Sequence, residues 1–289
     1  MIKCYLFGGI GNQMFQYLSG IYLSKQNNMK VKFDYKFISS FNSQHNNKSL
    51  NEIFNLEDKF FSKETNSIVL NFSKILKFFF NLLCIFKFNV NFISDYNYTN
   101  KLNEKKNYLM FGYFQNIQKI DKEIIDVENF FKFKEIYFKN NLYKKVIAYE
   151  NSVCLHIRRG DYLTPKYKKK YVILNEDYYM KAINFILKKK NNLHFFIFSD
   201  DKDYAKNFCN KIEDYNKFSY TLMNKNSSDL DLFLMSHCKN FIIANSTFSW
   251  WAAIISKNKK KITITPRKWF KNKNDNENNK LILDQWVKI

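Results

Sequence analysis

The chain has 289 residues and a formal net charge of +21 at pH 7, from 47 Lys and Arg against 26 Asp and Glu. Hydrophobic residues make up 46% and aromatic residues 19% of the sequence, which excludes a disordered basic tail and is enough for one large domain or two ordinary ones. The lysines are spread along the whole chain among asparagines, so the charge alone does not indicate nucleic-acid binding. We expect an anionic partner.

The N-terminal segment predicts a strand, a loop and a helix. Residues 2–7 are apolar apart from Lys3, a glycine-containing loop follows, and apolar side chains recur at helical spacing over residues 14–22. The loop resembles a dinucleotide-binding fingerprint, but Met14 stands where the third glycine belongs, so neither that fingerprint nor a P-loop is assigned. The amides of Asn12 and Gln13 are expected to project into the space above the first strand.

The region from residue 35 to residue 150 predicts few elements, apart from a strand over residues 108–112. Its most apolar part, residues 68–93, is interrupted by lysines and falls short of the roughly 20 apolar residues of a spanning helix. Two interpretations stay open: a buried helix with lysines at its rim, or an amphipathic helix lying on anionic lipid. The second would place the protein at the inner face of the cytoplasmic membrane.

The cysteines and the N-terminus indicate the cellular compartment. No two cysteines form a C-x-x-C pair, so neither a zinc site nor a disulfide framework is predicted. The first residues lack the charged flank and the cleavage site of a secretory signal, and a cytoplasmic location is expected. The cysteines are Cys4, Cys84, Cys154, Cys209 and Cys238.

From residue 152 onward, strands and helices alternate along the chain. Strands are predicted over residues 153–157, 193–198, 241–244 and 262–264, and helices over residues 176–189, 203–209, 229–238 and 248–255. This alternation is typical of parallel βαβ units and therefore predicts a doubly wound α/β domain in this half of the chain.

Polar side chains follow three of these strands at the point where each strand ends. Residues 156–161 contain a His, paired Arg and an Asp, residues 199–201 are Ser-Asp-Asp, and residues 245–249 are Asn-Ser-Thr-Phe-Ser at the start of a helix. Arginines and a hydroxyl-lined helix N-terminus suit phosphates, and open α/β sheets bind ligands at this edge. Two simpler explanations stay open: a surface salt bridge for the arginine pair, and helix capping for the other clusters.

Four sequence motifs follow one another over nearly the whole chain. They are Gly-Gly-Ile-Gly-Asn-Gln-Met-Phe-Gln-Tyr at residues 8–17, His-Ile-Arg-Arg-Gly-Asp-Tyr at 156–162, Phe-Ser-Asp-Asp at 198–201 and Asn-Ser-Thr-Phe-Ser-Trp-Trp at 245–251. This set resembles the signature of the galactoside α-1,2-fucosyltransferases, glycosyltransferase family eleven, in their bacterial form. The resemblance implies an α/β, GT-B-like fold of two Rossmann-like doubly wound domains with a cleft between them. We divide them into residues 1–148 on the acceptor side and residues 149–289 for the GDP-sugar.

The resemblance also implies a reaction. An enzyme of this kind transfers L-fucose with inversion from GDP-β-L-fucose to the 2-hydroxyl of a terminal galactoside, on a glycan or lipopolysaccharide-type acceptor. It needs neither a metal nor another cofactor. The implied partners are GDP-fucose, a galactose-terminated glycan and, through the basic surface, an anionic membrane, but no nucleic acid.

Site residues follow from the resemblance, position by position. Arg158 would bind the β-phosphate and stabilise the departing GDP with support from Arg159, since fixed donors can stabilise the charge that builds there. Asn12 would reach the leaving group and the sugar from the N-terminal domain. The catalytic residues that the resemblance implies are Arg158, Asn12 and Asp161. The remaining contacts are His156 and Asp161 in the nucleotide pocket, Asp200 or Asp201 at guanine, Ser246, Thr247, Phe248 and Ser249 at the phosphates, and Gln13 and Gln16 on the acceptor side.

Other functions stay open. A related transferase that uses another GDP-sugar or makes another linkage would carry the same phosphate motifs. A basic RNA-binding protein would share the charge but should carry a recognised binding module, and a phosphohydrolase would need a nucleophile or metal cluster that these motifs lack. The acidic segments 200–203 and 229–231 are interpreted as nucleotide contacts or helix-start charge, and no general base is assigned.

Overall fold

The structure is a computed structural model that describes residues 1–35, 48–62, 90–95, 97–213, 218–223 and 226–289. These residues form two compact units, Met1–Lys132 and Phe133–Ile289. Most of the apolar segment 68–93, with its two open interpretations, lies outside the described residues, as does Cys84. Among the residues that are described, no helix is both long and apolar enough to cross a membrane.

The first unit is built on a parallel sheet. Its strands are β1 (Ile2–Tyr5), β2 (Val31–Asp34), β3 (Phe61–Ser62), β4 (Val90–Ile93) and β5 (Asn107–Met110), and its helices are α1 (Ile10–Gln26), α2 (Leu50–Ile53) and α3 (Val127–Phe130), with 3₁₀ segments at Asp58–Phe60 and Ile117–Lys119. The strand order is β3-β2-β1-β5-β4, so the order changes direction between β1 and β5. The strand, loop and helix predicted at the N-terminus and the strand predicted near residue 108 are confirmed.

Helix α1 packs closely on this sheet because its side chains are mostly apolar or small. Met14 and Leu18 are fully buried, and the ring of Tyr17 lies 4.4 Å from the ring of Phe33 in β2. Gly20 permits this approach, since a Cβ there would lie 2.7 Å from the ring of Phe33. Each large apolar side chain buried in this way contributes about 1.5–3 kcal/mol. The packing fixes α1 against the sheet and thereby fixes the loop that joins β1 to α1.

The second unit contains a parallel sheet of six strands. They are β6 (Ser152–Ile157), β7 (His194–Ser199), β8 (Ser219–Met223), β9 (Asn240–Ile242), β10 (Thr263–Thr265) and β11 (Val287–Lys288). The order β11-β10-β9-β6-β7-β8, counted from the first strand of the unit, is the 3-2-1-4-5-6 order of the Rossmann fold. The predicted parallel α/β class is confirmed. The order reverses between β6 and β9, where this topology places a ligand-binding crevice.

Helices lie on both faces of the second sheet. They are α4 (Asn141–Ala148), α5 (Pro165–Lys168), α6 (Glu176–Leu187), α7 (Lys202–Glu213), α8 (Ser228–Ser236), α9 (Thr247–Ile255) and α10 (Lys273–Glu277), with 3₁₀ segments at Glu135–Lys139 and Asp161–Leu163. Val153, Leu155 and Ile157 of β6 are fully buried in a core that they share with side chains of α6 and α7. The alternate residue His156 points to the other face and contacts Ser249 in α9.

Residues 133–148 belong to the second compact unit, whereas the sequence places the division at 148/149. The hydroxyl of Tyr137 donates a hydrogen bond of 2.6 Å to Asp229, 92 residues further along the chain. The rings of Phe138 and Tyr143 lie 5.0 and 5.2 Å from the ring of Phe233. These contacts hold the segment to α8, and the spacing of residues in the sequence does not reveal contacts between positions so far apart.

Candidate functional site

The three polar clusters predicted from the sequence meet at one edge of the second sheet. His156 lies at the end of β6, Asp200 follows β7, and Ser246 follows β9 at the start of α9. Because β6 lies between β7 and β9 and the pairings are parallel, the three strand ends lie side by side. Two of the clusters flank the position between β6 and β9 at which the strand order reverses.

Arg158 is held between two carboxylates. Its Nη2 lies 2.6 Å from Oδ1 of Asp161, and its Nη1 lies 2.7 Å from Oδ2 of Asp200. The guanidinium also lies over the ring of Tyr162, 5.3 Å from the centroid. Burial disfavours the charge of Arg158, but the two carboxylates outweigh burial and raise its pKa. The ion pairs fix the position of this cation. Its Nε–H group is buried and has no hydrogen-bond partner among the described residues.

Asp200 contacts both arginines of the pair. Its Oδ1 accepts the backbone N–H of Arg159 at 2.8 Å, while its Oδ2 pairs with Arg158. Gly160 makes this approach possible, because a Cβ at that position would lie 2.7 Å from Oδ2 of Asp200. Both oxygens of Asp200 are therefore engaged in orienting the arginine pair, and the recognition of guanine by this carboxylate stays a prediction.

Arg159 contacts side chains at the start of α7. Its Nε is 3.2 Å from Oδ2 of Asp201, and its guanidinium stacks 3.8 Å from the ring centroid of Tyr204. Oδ1 of Asp201 accepts the N–H of Tyr204 at 3.1 Å, in the first turn of α7. The helix-capping interpretation is therefore correct for Asp201, which at the same time holds Arg159 against Tyr204.

His156 is buried, with 4% of its surface exposed, and its Nδ1 lies 2.8 Å from Oγ of Ser249. Its ring lies 5.8 Å from the ring of Phe248. Burial lowers the pKa of His156 to about 4. The nearby charges of Asp200 and Arg158 act on this pKa in opposite directions, Asp200 raising it and Arg158 lowering it. The imidazole is therefore neutral at physiological pH, and it links the end of β6 to the first turn of α9.

The N-terminus of α9 combines hydroxyl groups with the backbone N–H groups of its first turn. Oγ of Ser246 accepts the N–H of Phe248 at 3.3 Å and so caps the helix, and Thr247 is the first helical residue. The preceding Asn245 is buried and donates from its Nδ2 to two backbone carbonyl groups at 2.8 and 2.9 Å, which fixes the loop. A helix N-terminus held in this way favours an anion through its dipole and its N–H groups.

Gln13 and Gln16 lie in the first unit, near the start of α1, and are buried. Nε2 of Gln13 donates to the carbonyl of Gly8 at 3.0 Å, and Oε1 of Gln16 accepts the N–H of Phe7 at 2.9 Å. Their acceptor-side role stays a prediction, and their amides hold the loop between β1 and α1. The physical reason is that α1 is buried on nearly all sides, so polar side chains near its start turn back to the loop backbone.

Asn12 joins two loops of the first unit. Its Oδ1 accepts a hydrogen bond of 2.9 Å from Nε2 of Gln115, in the loop that follows β5. Its Nδ2 also lies close to Gly8, where a Cβ would be 2.9 Å away. Gly8 has a φ of 78°, a conformation that favours glycine. The structure therefore shows Asn12 joining the start of α1 to the loop after β5, and its catalytic role stays a prediction.

Within the described ranges, no group of three or more His, Cys, Asp or Glu side chains could hold a metal ion. The four cysteines described there, Cys4, Cys154, Cys209 and Cys238, are buried. Burial raises the pKa of the Cys154 thiol, so this side chain is a packed core group.

Three residues that shape the site have no role in the sequence-based hypothesis: Tyr162, Tyr204 and Asn245. The hydroxyl of Tyr162 donates to the backbone carbonyl of Asn245 at 2.8 Å, and its ring stacks on Tyr171 at 4.4 Å. Tyr162 and Asn245 lie within two of the motifs, and their position there could have indicated a role in the site. Tyr204 gives no signal other than its helical spacing of three residues from Asp201.

The strand order of this Rossmann-type sheet reverses beside an arginine held by carboxylates and a capped helix N-terminus. This arrangement is typical of proteins that bind phosphorylated ligands. The sequence pattern of glycosyl transferase family 11 matches residues 1–289. The protein therefore belongs to glycosyl transferase family 11.

Two relatives from Escherichia coli align with nearly the whole chain. The O-antigen biosynthesis glycosyltransferase WbnK is 35% identical over an alignment of 312 positions, gaps included, which covers 100% of both chains. An alpha-1,2-colitosyltransferase is 34% identical over an alignment of 299 positions, which covers 98% of this chain and 97% of the relative. At this identity and coverage, these relatives support the same family assignment.

The fold is also found in a solved structure. The chain is similar to the crystal structure of the fucosyltransferase NodZ from Bradyrhizobium, with a TM-score of 0.52 and 10% identity over 87% of this chain and 91% of NodZ. A likeness at such low identity shows the fold alone. The GT-B-like α/β fold class predicted from the sequence is confirmed.

Proposed function

We propose that the protein is a galactoside α-1,2-fucosyltransferase. It moves L-fucose from GDP-β-L-fucose to the 2-hydroxyl of a terminal galactoside, with inversion at the anomeric carbon. Membership of the family establishes glycosyl transfer, and the donor, the linkage and the acceptor are the proposed part. The observation that carries the proposal is Arg158, which lies fixed by two carboxylates at the strand ends next to the N-terminus of α9.

The proposed chemistry needs donors at the diphosphate. When the bond between the anomeric carbon and the phosphate oxygen breaks, negative charge builds on GDP, and fixed donors stabilise it more than mobile ones. We assign Arg158 to the β-phosphate with support from Arg159, and the N-terminus of α9 with its hydroxyl groups to the phosphate oxygens. Asp161 and the neutral imidazole of His156 shape the same pocket. The acceptor oxygen attacks the opposite face of the sugar, and its proton has no assigned base.

The names of the relatives guide the choice of acceptor and donor. WbnK is named for O-antigen biosynthesis, which supports a lipopolysaccharide-type glycan as the acceptor. The other relative is named an alpha-1,2-colitosyltransferase, and colitose is L-fucose without its 3-hydroxyl. A second candidate function is therefore α-1,2 transfer of colitose from its GDP-activated form, through the same phosphate contacts.

Product analysis tests the proposal. The protein is incubated with GDP-fucose or GDP-colitose and a panel of galactosides in excess EDTA, and the linkage of the product is read by NMR. We expect an α-1,2-fucosyl galactoside and release of GDP, unaffected by the chelator. A product from GDP-colitose alone would replace the donor assignment, and a product with another linkage would reject the acceptor position. Activity that EDTA removes and added Mg²⁺ or Mn²⁺ restores would contradict metal-independent transfer.

A further inference from the structure

Three aromatic rings of the first unit lie together at the carboxyl edge of its sheet. Phe7 follows β1, whereas Phe111 and Tyr113 follow β5. The ring of Phe7 is stacked on that of Phe111, with centroids 4.8 Å apart and planes at 22°, and it lies 5.1 Å from the ring of Tyr113. Since β1 and β5 are neighbours at the point where the strand order changes direction, the rings occupy the ligand-binding position of this sheet.

The platform, as we call Phe7, Phe111 and Tyr113, is accessible at one end. Tyr113 is 43% exposed, and Phe7 and Phe111 are only partly buried. By contrast, Tyr17 and Phe33 of the same unit are almost fully or fully buried in its core. A partly exposed aromatic stack at a strand edge is a surface on which a ligand with an apolar face can pack.

Both loops that carry the platform are braced by polar side chains, the buried Gln16 and the exposed Asp95. Gln16 accepts the backbone N–H of Phe7 at 2.9 Å, and Asp95 accepts the backbone N–H of Tyr113 at 2.9 Å. Gly112 lets Asp95 approach, since a Cβ there would lie 2.7 Å from Oδ2 of Asp95. The rings are therefore held in place before any ligand arrives, which lowers the entropic cost of binding.

Hydrogen-bonding groups lie beside the platform. Asn12 and Gln115, joined at 2.9 Å, connect the same two loops and are only partly buried. An aromatic surface flanked by a few oriented amide groups is the usual composition of a small-molecule site. The hydroxyl group of Tyr113 adds a further donor and acceptor at the exposed end.

We propose that the platform binds a pyranose ring of the acceptor glycan. One face of a galactopyranose presents C–H groups, which pack against the electron-rich face of an aromatic ring, while the sugar hydroxyls at the ring edge form hydrogen bonds. The inference rests on the proposed function, because a glycosyltransferase must hold an acceptor sugar in addition to the donor. It replaces Gln13 and Gln16, which are buried, as the acceptor contacts.

Acceptor kinetics with lactose as the probe test the platform. Tyr113→Ala is expected to raise the KM for lactose by about tenfold, whereas the KM for GDP-fucose and the hydrolysis of GDP-fucose without acceptor stay unchanged. Tyr113→Phe keeps the ring and is expected to restore most of the lactose affinity. Phe138→Ala is the matched control, since Phe138 is 42% exposed but lies in the second unit.

Each outcome of these measurements either supports or rejects the platform as the acceptor site. A normal KM for lactose in Tyr113→Ala, with an unchanged melting temperature, overturns the platform and leaves the proposed function standing. An equal rise in Phe138→Ala overturns it as well. Saturation-transfer NMR of lactose with the intact protein separates the two proposals when no donor is turned over: signals that Tyr113→Ala removes and Tyr113→Phe keeps support the platform, and signals that are equal in all variants reject it.

Discussion

Arg158 has more N–H groups than its two carboxylate partners occupy. Asp161 and Asp200 each take a hydrogen bond from a different Nη atom, while the buried Nε–H is left with no partner among the described residues. The ion pairs therefore orient the guanidinium without using all of its N–H groups, which leaves donors for the proposed phosphate contact. A lysine at this position would supply a point charge on a flexible stem and could not keep both ion pairs and the phosphate contact.

We expect Arg158→Ala to abolish transfer in a protein that remains folded, and Arg158→Lys to recover little of it. The loss of one fixed donor to the developing charge lowers kcat on the order of a hundredfold or more. Steady-state kinetics with GDP-fucose and calorimetric GDP binding measure the effect. Turnover of the lysine variant close to that of the wild type would contradict the role of Arg158.

Asp200→Asn gives the companion measurement, because it keeps the size of the side chain and removes the charge that orients Arg158. A fall in kcat with the fold intact is expected. Asp177→Asn is the control, since Asp177 pairs with Lys181 on an exposed helix face at 2.8 Å and such pairs contribute little.

His156 makes stability depend on acidity. Its pKa in the folded protein is about 4 against 6.5 in the unfolded chain, so the unfolded chain takes up the proton first as pH falls. The stability is complete above pH 6.5 and is lost progressively toward pH 4, by on the order of 3 kcal/mol for this group. Thermal melts across this range are expected to show a falling melting temperature, and a smaller fall in His156→Asn.

His194 also contributes to the acid sensitivity of the fold, because burial lowers its pKa to about 4 as well. His194→Asn is expected to reduce the acid sensitivity as well, but without affecting turnover, since His194 bonds to Ser219 and Thr221 away from the arginine pair. An identical pH profile in the wild type and His156→Asn would show that His156 is not the titrating group.

Element by element, the sequence predicts those strands that are continuous apolar runs in the middle of a sheet. β6 and β7 are fully or almost fully buried and are found where the sequence places them. β2 has the sequence Val-Lys-Phe-Asp and β8 is a partly exposed strand at the sheet edge, so neither shows a continuous apolar run. These two strands could not be predicted from hydrophobicity, because one of their faces or edges is polar.

The site was predictable as a meeting of clusters but not as a set of pairs. The rule that parallel strands end at one edge places the arginines near the acidic residues. Which arginine meets which carboxylate depends on strand register, and the last registered pair is Ile157 opposite Ser199. The next two positions along both strands are Arg158 with Asp200 and Arg159 with Asp201, which are the observed ion pairs. Register is not encoded in local sequence patterns.

Asn12 tests whether the loop after β1 acts in catalysis or only in stability. Asn12→Ala is expected to lower kcat by about a hundredfold while GDP affinity is retained, because the residues proposed to bind GDP lie in the second unit. Gln115→Ala removes the same hydrogen bond from the other side. Equal losses of melting temperature and activity in both variants would assign Asn12 to the glycine turn alone.

At the scale of the whole molecule, the charge of +21 supports the proposed contact with an anionic membrane. Among the described residues, Ile136, Phe138 and Ile147 are exposed by 71, 42 and 43% within one lysine-containing segment. We expect more protein to sediment with anionic than with neutral vesicles, and salt to release it, since the screening length falls from about 10 Å at 0.1 M to about 3 Å at 1 M. Equal sedimentation with both kinds of vesicle would remove the membrane from the list of partners.

The position of β1 has a consequence for biosynthesis. β1 lies in the middle of its sheet, and its partner on one side is β5, with Ile2 opposite Tyr108. A ribosome that adds about 5–20 residues per second needs roughly 5–20 s to deliver β5 after β1. Until then, one side of an apolar strand is open to pairing with neighbouring nascent chains. The yield of folded enzyme should therefore depend on translation speed and on chaperones that shield the emerging β1.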